Sequence, residues 1–386
     1  MTNIQIVTGA NYGDEGKGLV ANHLSTPKTL IIMPSNSCQR AHTVVEGTIR
    51  RVFRHFGSGT LRGAATYFAE LFYVNPAMFR REYMELVEIG LRPTVYCHWN
   101  CRIVTPVDMF ANVNIESRRG ENSHSSTGCG VWETICRRFT LNRTDKDYVN
   151  FDNIVSYYEN RLKDEKGILP EGIGDFLHGK YLKENWMDDL NFFYNHVTII
   201  NNKEKEKELY HSYPLILFEN GQGLLLDDRY ANDTTHNTPA DISACVPAQE
   251  IVKYFKPTEV KIENFYVSRT YYTRHGKGRI GIGGVDKDKE CRREDINSEM
   301  FDRTNIPNPN QGTLRYGKID FVEANLLCHR INGDNLQLKK NGFNSNTNLV
   351  VTHTNELENE ALYEAAENNF ITLWKSDNES TFQGGF

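Results

Sequence analysis

Gly13-Asp14-Glu15-Gly16-Lys17-Gly18 follows the apolar run Ile4-Gln5-Ile6-Val7 and leads into Leu19-Val20-Ala21-Asn22-His23-Leu24. A short β-branched run, then glycines, then a helical pattern is the strand–loop–helix layout of a phosphate-binding loop. Glycines let backbone N–H groups close on an anion, and the positive end of the next helix points at it. Lys17 adds a point charge for a β- or γ-phosphate. The Walker spacing Gly-x4-Gly-Lys-Ser/Thr is absent, because Gly18 stands where the Mg²⁺-binding hydroxyl belongs. A carboxylate, Asp14, lies inside the loop instead. Beside bound phosphates it costs electrostatic energy unless it binds a metal or moves a proton. An ordinary glycine turn with solvated charges is the plainer reading. Six residues with so few ordinary side chains seldom assemble by accident.

The 386 residues suffice for one large α/β domain or two ordinary ones. A formal net charge of -6 offers no overall basic field for polymeric nucleic acid. No apolar run approaches the roughly 20 residues that span a bilayer, and the N-terminus is not signal-like. The expectation is a cytoplasmic protein. Eight cysteines are scattered without paired Cys-x-x-Cys spacing; Cys97 and Cys101 lack a second half-site for zinc. Reduced thiols account for them better.

Apolar β-rich runs recur at 4–7, 29–33, 215–219, 260–267 and 349–352, with helical patterns such as 76–91 and 149–166 between them. This alternation predicts an α/β fold with a mainly parallel central sheet, flanking helices and the modified P-loop at the N-terminus. Residues 202–208 read as a solvated loop or helix end. Residues 286–302 read as a charged surface segment leading into a Pro/Asn-rich mobile loop at 305–310. No linker interrupts the chain, so residues 1–386 are expected to form a single domain with loop excursions.

Several further blocks stand collinear with the first. They are Gln39-Arg40-Ala41-His42-Thr43, Ser58-Gly59, Asn75-Pro76-Ala77, Ser125-Ser126-Thr127-Gly128-Cys129-Gly130, Phe218-Glu219-Asn220-Gly221-Gln222-Gly223-Leu224-Leu225-Leu226-Asp227 and Thr273-Arg274-His275-Gly276-Lys277-Gly278. Together with Gly-Asp-Glu-Gly-Lys-Gly they resemble the signature segments of the adenylosuccinate synthetase family over nearly the whole chain. The resemblance implies one central sheet with loops closing over ligands, a homodimer, Mg²⁺, and a C–N ligase reaction. In that reaction the γ-phosphoryl group of a nucleoside triphosphate is transferred to O6 of a 6-oxopurine nucleotide, and the amine of aspartate then displaces phosphate.

Proton removal from N1 makes O6 nucleophilic, so a carboxylate must stand beside N1 and the γ-phosphate. Asp14 matches the family base residue for residue and is also a candidate Mg²⁺ ligand; a plain helix N-cap is the alternative. Lys17, with Gly13, Glu15, Gly16 and Gly18, would cradle the phosphates. His42 would stabilise charge on the travelling phosphoryl group or donate a proton to O6. Its neighbours depart from the family's Asn-Ala-Gly: Gln39, Arg40, which adds a cation near the phosphates, and Ala41, whose carbonyl can still reach Mg²⁺. Gln222 can read the O6/N1 edge, although Gly-Gln-Gly also suits a tight turn. Ser126, Thr127 and Gly128 suit a nucleoside 5′-phosphate, with Asn237 and Thr238 in a looser match nearby. Aspartate needs guanidinium partners. The family's Arg run is reduced here to Arg315 in Gln311-Gly312-Thr313-Leu314-Arg315. Thr273, Arg274 and Thr313 complete the candidate aspartate set, and Lys277 can assist.

At the donor base the family's Thr-Lys-x-Asp becomes Thr352-His353-Thr354-Asn355. An amide can pair with adenine's N6–H and N1 but loses the charge-assisted clamp on guanine. Leu373-Trp374-Lys375-Ser376-Asp377 replaces a second guanine-reading loop, and Trp374 can stack either purine; Lys375 belongs to the same segment. The expected donor is ATP or dATP. This pattern resembles the phage branch of the family, which makes N6-succino-2-amino-2′-deoxyadenylate from dGMP, aspartate and ATP, in the host cytoplasm if the chain is phage-encoded. A housekeeping-type enzyme acting on IMP is the first alternative. An inactive nucleotide-binding homologue and a P-loop NTPase acting on a protein partner are further ones. The Asn355→Asp variant should gain GTP use relative to ATP, since one charge-assisted bidentate pair is worth about 1–3 kcal/mol. Steady-state rates with both donors check this, and a wild-type preference for GTP would contradict it.

Overall fold

The structure, a computed structural model, describes residues 1–35, 37–137, 151–164, 166–227, 235–282, 289–297 and 310–384. Parts of the charged segment expected at 286–302 and of the mobile loop expected at 305–310 lie outside the described residues.

The chain builds a ten-stranded sheet. From one edge the order is Gln383–Gly384, Thr372–Lys375, Ser345–Thr352, Val260–Arg269, Thr2–Gly9, Leu215–Gly223, Thr29–Met33, Ala65–Phe68, Val95–His98 and Thr198–Ile200. Every neighbouring pair runs parallel except the outermost one, Thr372–Lys375 with Gln383–Gly384. The central strands carry largely apolar stretches because both faces are covered. Ile4, Ile6, Leu30, Ile32, Ile216 and Phe218 face a core shared with helices Lys203–His211 and Cys245–Tyr254. Val7, Ile31, Met33, Leu217 and Val267 face the other way, under helices Lys17–Leu24, Pro76–Glu88 and Pro106–Arg119.

Local chemistry sets the helix starts. Asn75 caps Pro76–Glu88 by accepting from Met78 N at 3.1 Å, with Pro76 in the first turn. Thr105 and Asp108 form a reciprocal capping box on Pro106–Arg119. The 202–208 stretch is largely helical, not loop: Asn202 accepts from Lys205 N at 2.9 Å and starts Lys203–His211. The short outer strands at 65–68, 95–98, 198–200 and 372–375 were not among the expected runs.

The first strand is central, flanked by Leu215–Gly223 and Val260–Arg269. Their C-terminal ends, with that of Ser345–Thr352, therefore open at one edge of the sheet, where ligands of open α/β sheets bind. Two antiparallel additions border that edge. One is the hairpin His42–Glu46/Ile49–Phe53; the other joins Tyr272–Arg274, Arg315–Gly317 and Glu290–Cys291.

Beneath the edge, Asp334 of helix Phe321–Lys340 is buried, accepting from Ala244 N at 3.2 and 3.0 Å and from the Tyr266 hydroxyl at 2.8 Å. Burial raises its pKa, the hydrogen bonds oppose this, and the charges of Asp227 and Asp241 raise it further, to about 7. A carboxyl raised above its unfolded value contributes stability below that value and loses it as pH climbs through the folded one. Unfolding free energy should thus fall between about pH 4 and 7 by a share from Asp334 of at most about 1.4 kcal/mol per pH unit. Asp334→Asn should flatten that slope in denaturant titrations; an unchanged slope would exclude Asp334 as its source.

Candidate functional site

The loop after the first strand closes on an anion supplied by the chain itself. Glu15 turns inward, and its Oε1 accepts from Asn11 N at 3.1 Å and Gly13 N at 2.6 Å. Lys17 Nζ lies 3.3 Å from Glu15 Oε2 and donates to Gly13 O at 2.7 Å. Both side chains are 1 % exposed. The loop is pinned from neighbouring strand ends: Arg269 Nε donates to Asp14 O at 2.6 Å, and the Thr352 hydroxyl donates to Glu15 O at 2.8 Å. Gly13 and Gly16 adopt φ of 110° and 97°, a region open to glycine and strained for other residues. Gly18 is required for a different reason. A Cβ there would stand 2.6 Å from the Thr43 carbonyl oxygen, so no Walker-type hydroxyl fits where the helix meets the hairpin.

Asp14 is half-buried, and among the described residues its carboxylate takes no hydrogen bond or ion pair. Gln222 stands close by: a Cβ on Gly13 would come 3.0 Å from Gln222 Oε1. Gln222 lines a small cleft that opens to solvent, together with Ser37, Gln39, Arg40, Tyr73 and Thr238.

His42 opens the hairpin and is buried. Its Nδ1 lies 2.5 Å from Glu219 Oε1 and its Nε2 lies 3.1 Å from Gly221 O. Glu219 also receives Arg40 Nη1 at 3.0 Å, Ser58 N at 2.8 Å and the Ser58 hydroxyl. Burial and then the charge of Arg40 press the His42 pKa down to about 4, against the pull of Glu219, so the ring is neutral near pH 7. Burial raises the Glu219 carboxyl, but Arg40, His42 and Ser58 outweigh it and leave a pKa of about 2. Arg40 does line the cleft, yet its guanidinium is engaged by Glu219 and by the carbonyls of Arg54, His55 and Phe56.

The other candidates fall into two groups. Ser126 donates its hydroxyl to Asn112 Oδ1 at 2.7 Å, and the Ser126 N–H lies 3.3 Å from Glu116 Oε2. Segments assigned to aspartate touch this loop: Lys277 N donates to Ser125 Oγ at 3.0 Å, and Gln311 Nε2 to Ser125 O at 2.7 Å. Asn310 Nδ2 donates to Thr127 O at 3.0 Å, packed where Gly128 leaves no room for a Cβ. Arg274 donates to the carbonyls of Arg279 and His236 and stacks over Tyr12, 4.8 Å from the ring centre. Arg315 donates to Gly276 O at 2.9 Å and Gly278 O at 2.5 Å and pairs with Glu290. Both guanidiniums therefore fasten loops. Thr273 is buried and Thr313 is exposed. Thr238 is buried and donates its N–H to Leu226 O at 2.8 Å, with Asn237 half-buried beside it.

On the donor side, Thr352 reaches the phosphate loop, and His353 takes φ of 63° to turn the chain toward the exposed Asn355. Trp374 is held in packing: its N–H donates to Asn348 Oδ1 at 3.0 Å and its ring meets Phe382 edge-on. Lys375 lies over Tyr363, 3.4 Å from the ring centre. Sequence reasoning did not single out Glu219, Ser58 or Arg269 for a role. A glutamate directly after the apolar run 215–218, inside a central strand, is the signal that could have flagged the first.

Fold and site define an α/β protein built around a modified phosphate-binding loop. The sequence pattern described as adenylosuccinate synthetase matches residues 6–303, more than half of the chain, and the chain belongs to that family of C–N ligases. Among curated relatives, the adenylosuccinate synthetase of Prochlorococcus marinus (strain MIT 9515) is 26% identical over 306 residues, covering 76% of this chain and 67% of that protein. That of Borrelia turicatae (strain 91E135) is 25% identical over 232 residues, 58% of this chain and 52% of that protein. The chain thus spans about half the length of the Borrelia relative that it matches. Two solved structures share the fold. Cyanophage S-2L succinoaminodeoxyadenylate synthetase (PurZ), bound to dGMP and dATP as an energy donor, gives a TM-score of 0.62 at 16% identity, covering 100% of this chain and 96% of that one. Fully ligated adenylosuccinate synthetase from Plasmodium falciparum gives 0.60 at 15%, covering 92% and 78%. Among the described residues no helix is long and apolar enough to cross a membrane.

Gly18→Ser restores the Walker hydroxyl on paper. The backbone contact with Thr43 means it should instead lower unfolding free energy by about 1–3 kcal/mol, read by denaturant titration. A variant of wild-type stability would show that the helix and hairpin can separate freely.

Proposed function

We propose that this chain condenses aspartate with a 6-oxopurine nucleotide, dGMP in preference, through a 6-phosphoryl intermediate, using ATP or dATP. The product is N6-succino-2-amino-2′-deoxyadenylate. The observation that carries the reading is the meeting, at one sheet edge, of the anion loop with Asp14, Gln222 and the buried His42–Glu219 pair.

In this reading Asp14 takes the N1 proton of the base. O6 then attacks the γ-phosphorus, the bond to the bridging oxygen breaks, and the nucleoside diphosphate leaves. Lys17 and the amides of Gly13 and its neighbours hold the donor phosphates. Glu15 yields its place in the loop or shares Lys17 with them. His42, with its Nδ1 proton on Glu219, meets the transferred group through Nε2, and a second ring proton there, favoured by the Glu219 charge, would stabilise charge that develops only in the transition state. Gln222 reads the O6/N1 edge. The aspartate amine next attacks C6, and phosphate departs with the O6 oxygen. Ser126, Thr127, Gly128, Asn237 and Thr238 are assigned to the acceptor phosphate, and Thr273, Arg274, Thr313 and Arg315 to aspartate. Thr352, Asn355, Trp374 and Lys375 are assigned to the donor nucleotide.

Mg²⁺ fits the Asp14 carboxylate, which has no competing partner among the described residues, and the Ala41 carbonyl in the exposed turn before His42. One carboxylate with phosphate and water oxygens is an ordinary Mg²⁺ shell. When bound, the ion would neutralise charge on the phosphates. A homodimer and a single domain over 1–386 accompany the proposal.

Support for dGMP and dATP comes from the ligands named for the cyanophage neighbour and from Asn355 in place of an acidic residue. The sequence relatives named adenylosuccinate synthetase favour IMP as a second reading. Phosphate release with aspartate and Mg²⁺, comparing dGMP, GMP and IMP against ATP, dATP and GTP, decides between them. The expected result is a higher kcat/KM for dGMP than for IMP. A site built to pair one exocyclic amine can discriminate by about 10⁴–10⁵-fold, and activity on IMP alone would overturn the dGMP reading. Asp14→Asn should cost about 10²–10⁴-fold in kcat while nucleotide binding persists by calorimetry. Near-normal turnover in that variant would remove Asp14 as the base.

A further inference from the structure

We propose that Arg40 is a positioning residue for the transfer step: its guanidinium holds Glu219 as the anion that orients the His42 ring. The inference rests on the functional reading above and deepens it at one residue. The resembled family segment has alanine at this place, so the device belongs to this chain's own sequence.

Arg40 is 1 % exposed, and each face of its guanidinium is engaged. Nη1 lies 3.0 Å from Glu219 Oε1 and 3.2 Å from His42 Nδ1. Nε donates to Arg54 O at 2.9 Å, and Nη2 reaches the carbonyls of Phe56 and His55. These carbonyls lead directly into Gly57 and Ser58, and Ser58 clasps the same carboxylate through its N–H and hydroxyl. Arg40 therefore joins three segments: the turn before the hairpin, the chain leading from the hairpin to Ser58, and the middle of strand Leu215–Gly223.

The consequence for His42 follows from hydrogen-bond inventory. Glu219 Oε1 is an acceptor shared by Arg40, Ser58 and the ring, so it asks Nδ1 for a proton and fixes the ring plane. Nε2 is thereby left 3.1 Å from Gly221 O, one residue before Gln222, and donates there only when the ring holds a second proton. Without the guanidinium, Glu219 would lose the cation that lies 3.0 Å from its Oε1, and the lowest-energy answer would be to move the carboxylate or admit water. Either change frees the ring. Lysine can supply the charge at Glu219 but cannot span the carbonyls of Arg54 and Phe56 as well.

Arg40→Met, Arg40→Lys and the double variant Arg40→Met/Glu219→Gln test this in the full chain. Three readouts are needed: thermal midpoint, kcat and KM for phosphate release, and the side-chain ¹⁵N spectrum of His42, assigned by its loss in His42→Gln. Arg40→Met should lower kcat by about 10–100-fold, as loss of an orienting partner does, with KM for both nucleotides within about threefold. Its His42 nitrogens should shift away from the wild-type pattern, and Arg40→Lys should recover part of both effects. If Arg40→Met fails to fold, the double variant leaves no unpaired charge and should fold with kcat still lowered. Wild-type kcat in either variant, a loss confined to KM, or unchanged His42 nitrogens would overturn the proposal. Should the wild type release no phosphate with any substrate pair, the functional reading fails. The His42 spectrum of Arg40→Met then still decides the positioning role: shifted supports it, unshifted ends it.

Discussion

The carboxylate of Glu219, buried in the middle of a central strand, is the constraint on which the site's assembly depends. Placing an ion there costs several kcal/mol unless its lone pairs are met. The chain meets them from outside the sheet: His42 and Arg40 on one oxygen, Ser58 N on the other, and the Ser58 hydroxyl as well. None of these partners belongs to the sheet. Satisfying one charge therefore draws the 37–42 turn, the His42–Glu46 hairpin strand and the 54–58 segment onto the strand that also carries Gln222. Breaking such a network by removing one partner typically costs about 3–5 kcal/mol, which makes the arrangement nearly all-or-none.

A second carboxylate obeys the same logic. The phosphate loop needs a negative charge at its centre, since its amides and Lys17 converge there, and Glu15 supplies one. The loop is thus held near its anion-binding shape by an internal charge. Arg269 and Thr352 hold the outside of the same loop through its carbonyls. Asp14, between these fixed points, is left with a carboxylate that is half-buried and uncommitted among the described residues. Rigid surroundings and a free carboxylate are what a general base or a metal ligand requires.

The central strands could be read from sequence because burial on both faces leaves mostly apolar β-formers at 4–7, 29–33 and 349–352. The shorter strands at 65–68, 95–98 and 198–200 escaped because Ala-Thr-Tyr-Phe, Val-Tyr-Cys-His and Thr-Ile-Ile are too short to carry a period that can be noticed. The Gly13–Gly18 loop was legible for a chemical reason: φ above zero and close backbone approach restrict the residue choice. Arg40 was read as a cation for the phosphates, since sequence gives the charge of a side chain but not its partner. Its partner, Glu219, lies 179 residues away and is joined to it by the fold alone. Trp374 was likewise chosen for its stacking surface. Its N–H goes to Asn348 and its ring to Phe382, a packing that nothing local in the sequence specifies.

In the proposed reading, transfer and recognition fall to different parts of this chain. Asp14, Lys17, His42 and Gln222 sit on or beside the ends of central strands, where a shift of one residue would empty both cores. The segments assigned to the donor base and much of the aspartate set lie after residue 303, where the family match stops. There the chain crosses surface turns: His353 at positive φ, Asn355 exposed, Thr313 exposed. Turns tolerate substitution because few buried contacts depend on them. A change of donor from guanine to adenine nucleotide therefore asks little of the fold, while a change in the transfer residues would have to be absorbed by the Glu219 network. The same asymmetry explains how Arg40 could enter that network. Its length reaches the Arg54, His55 and Phe56 carbonyls, so the added cation arrives with partners already in place for all of its charge.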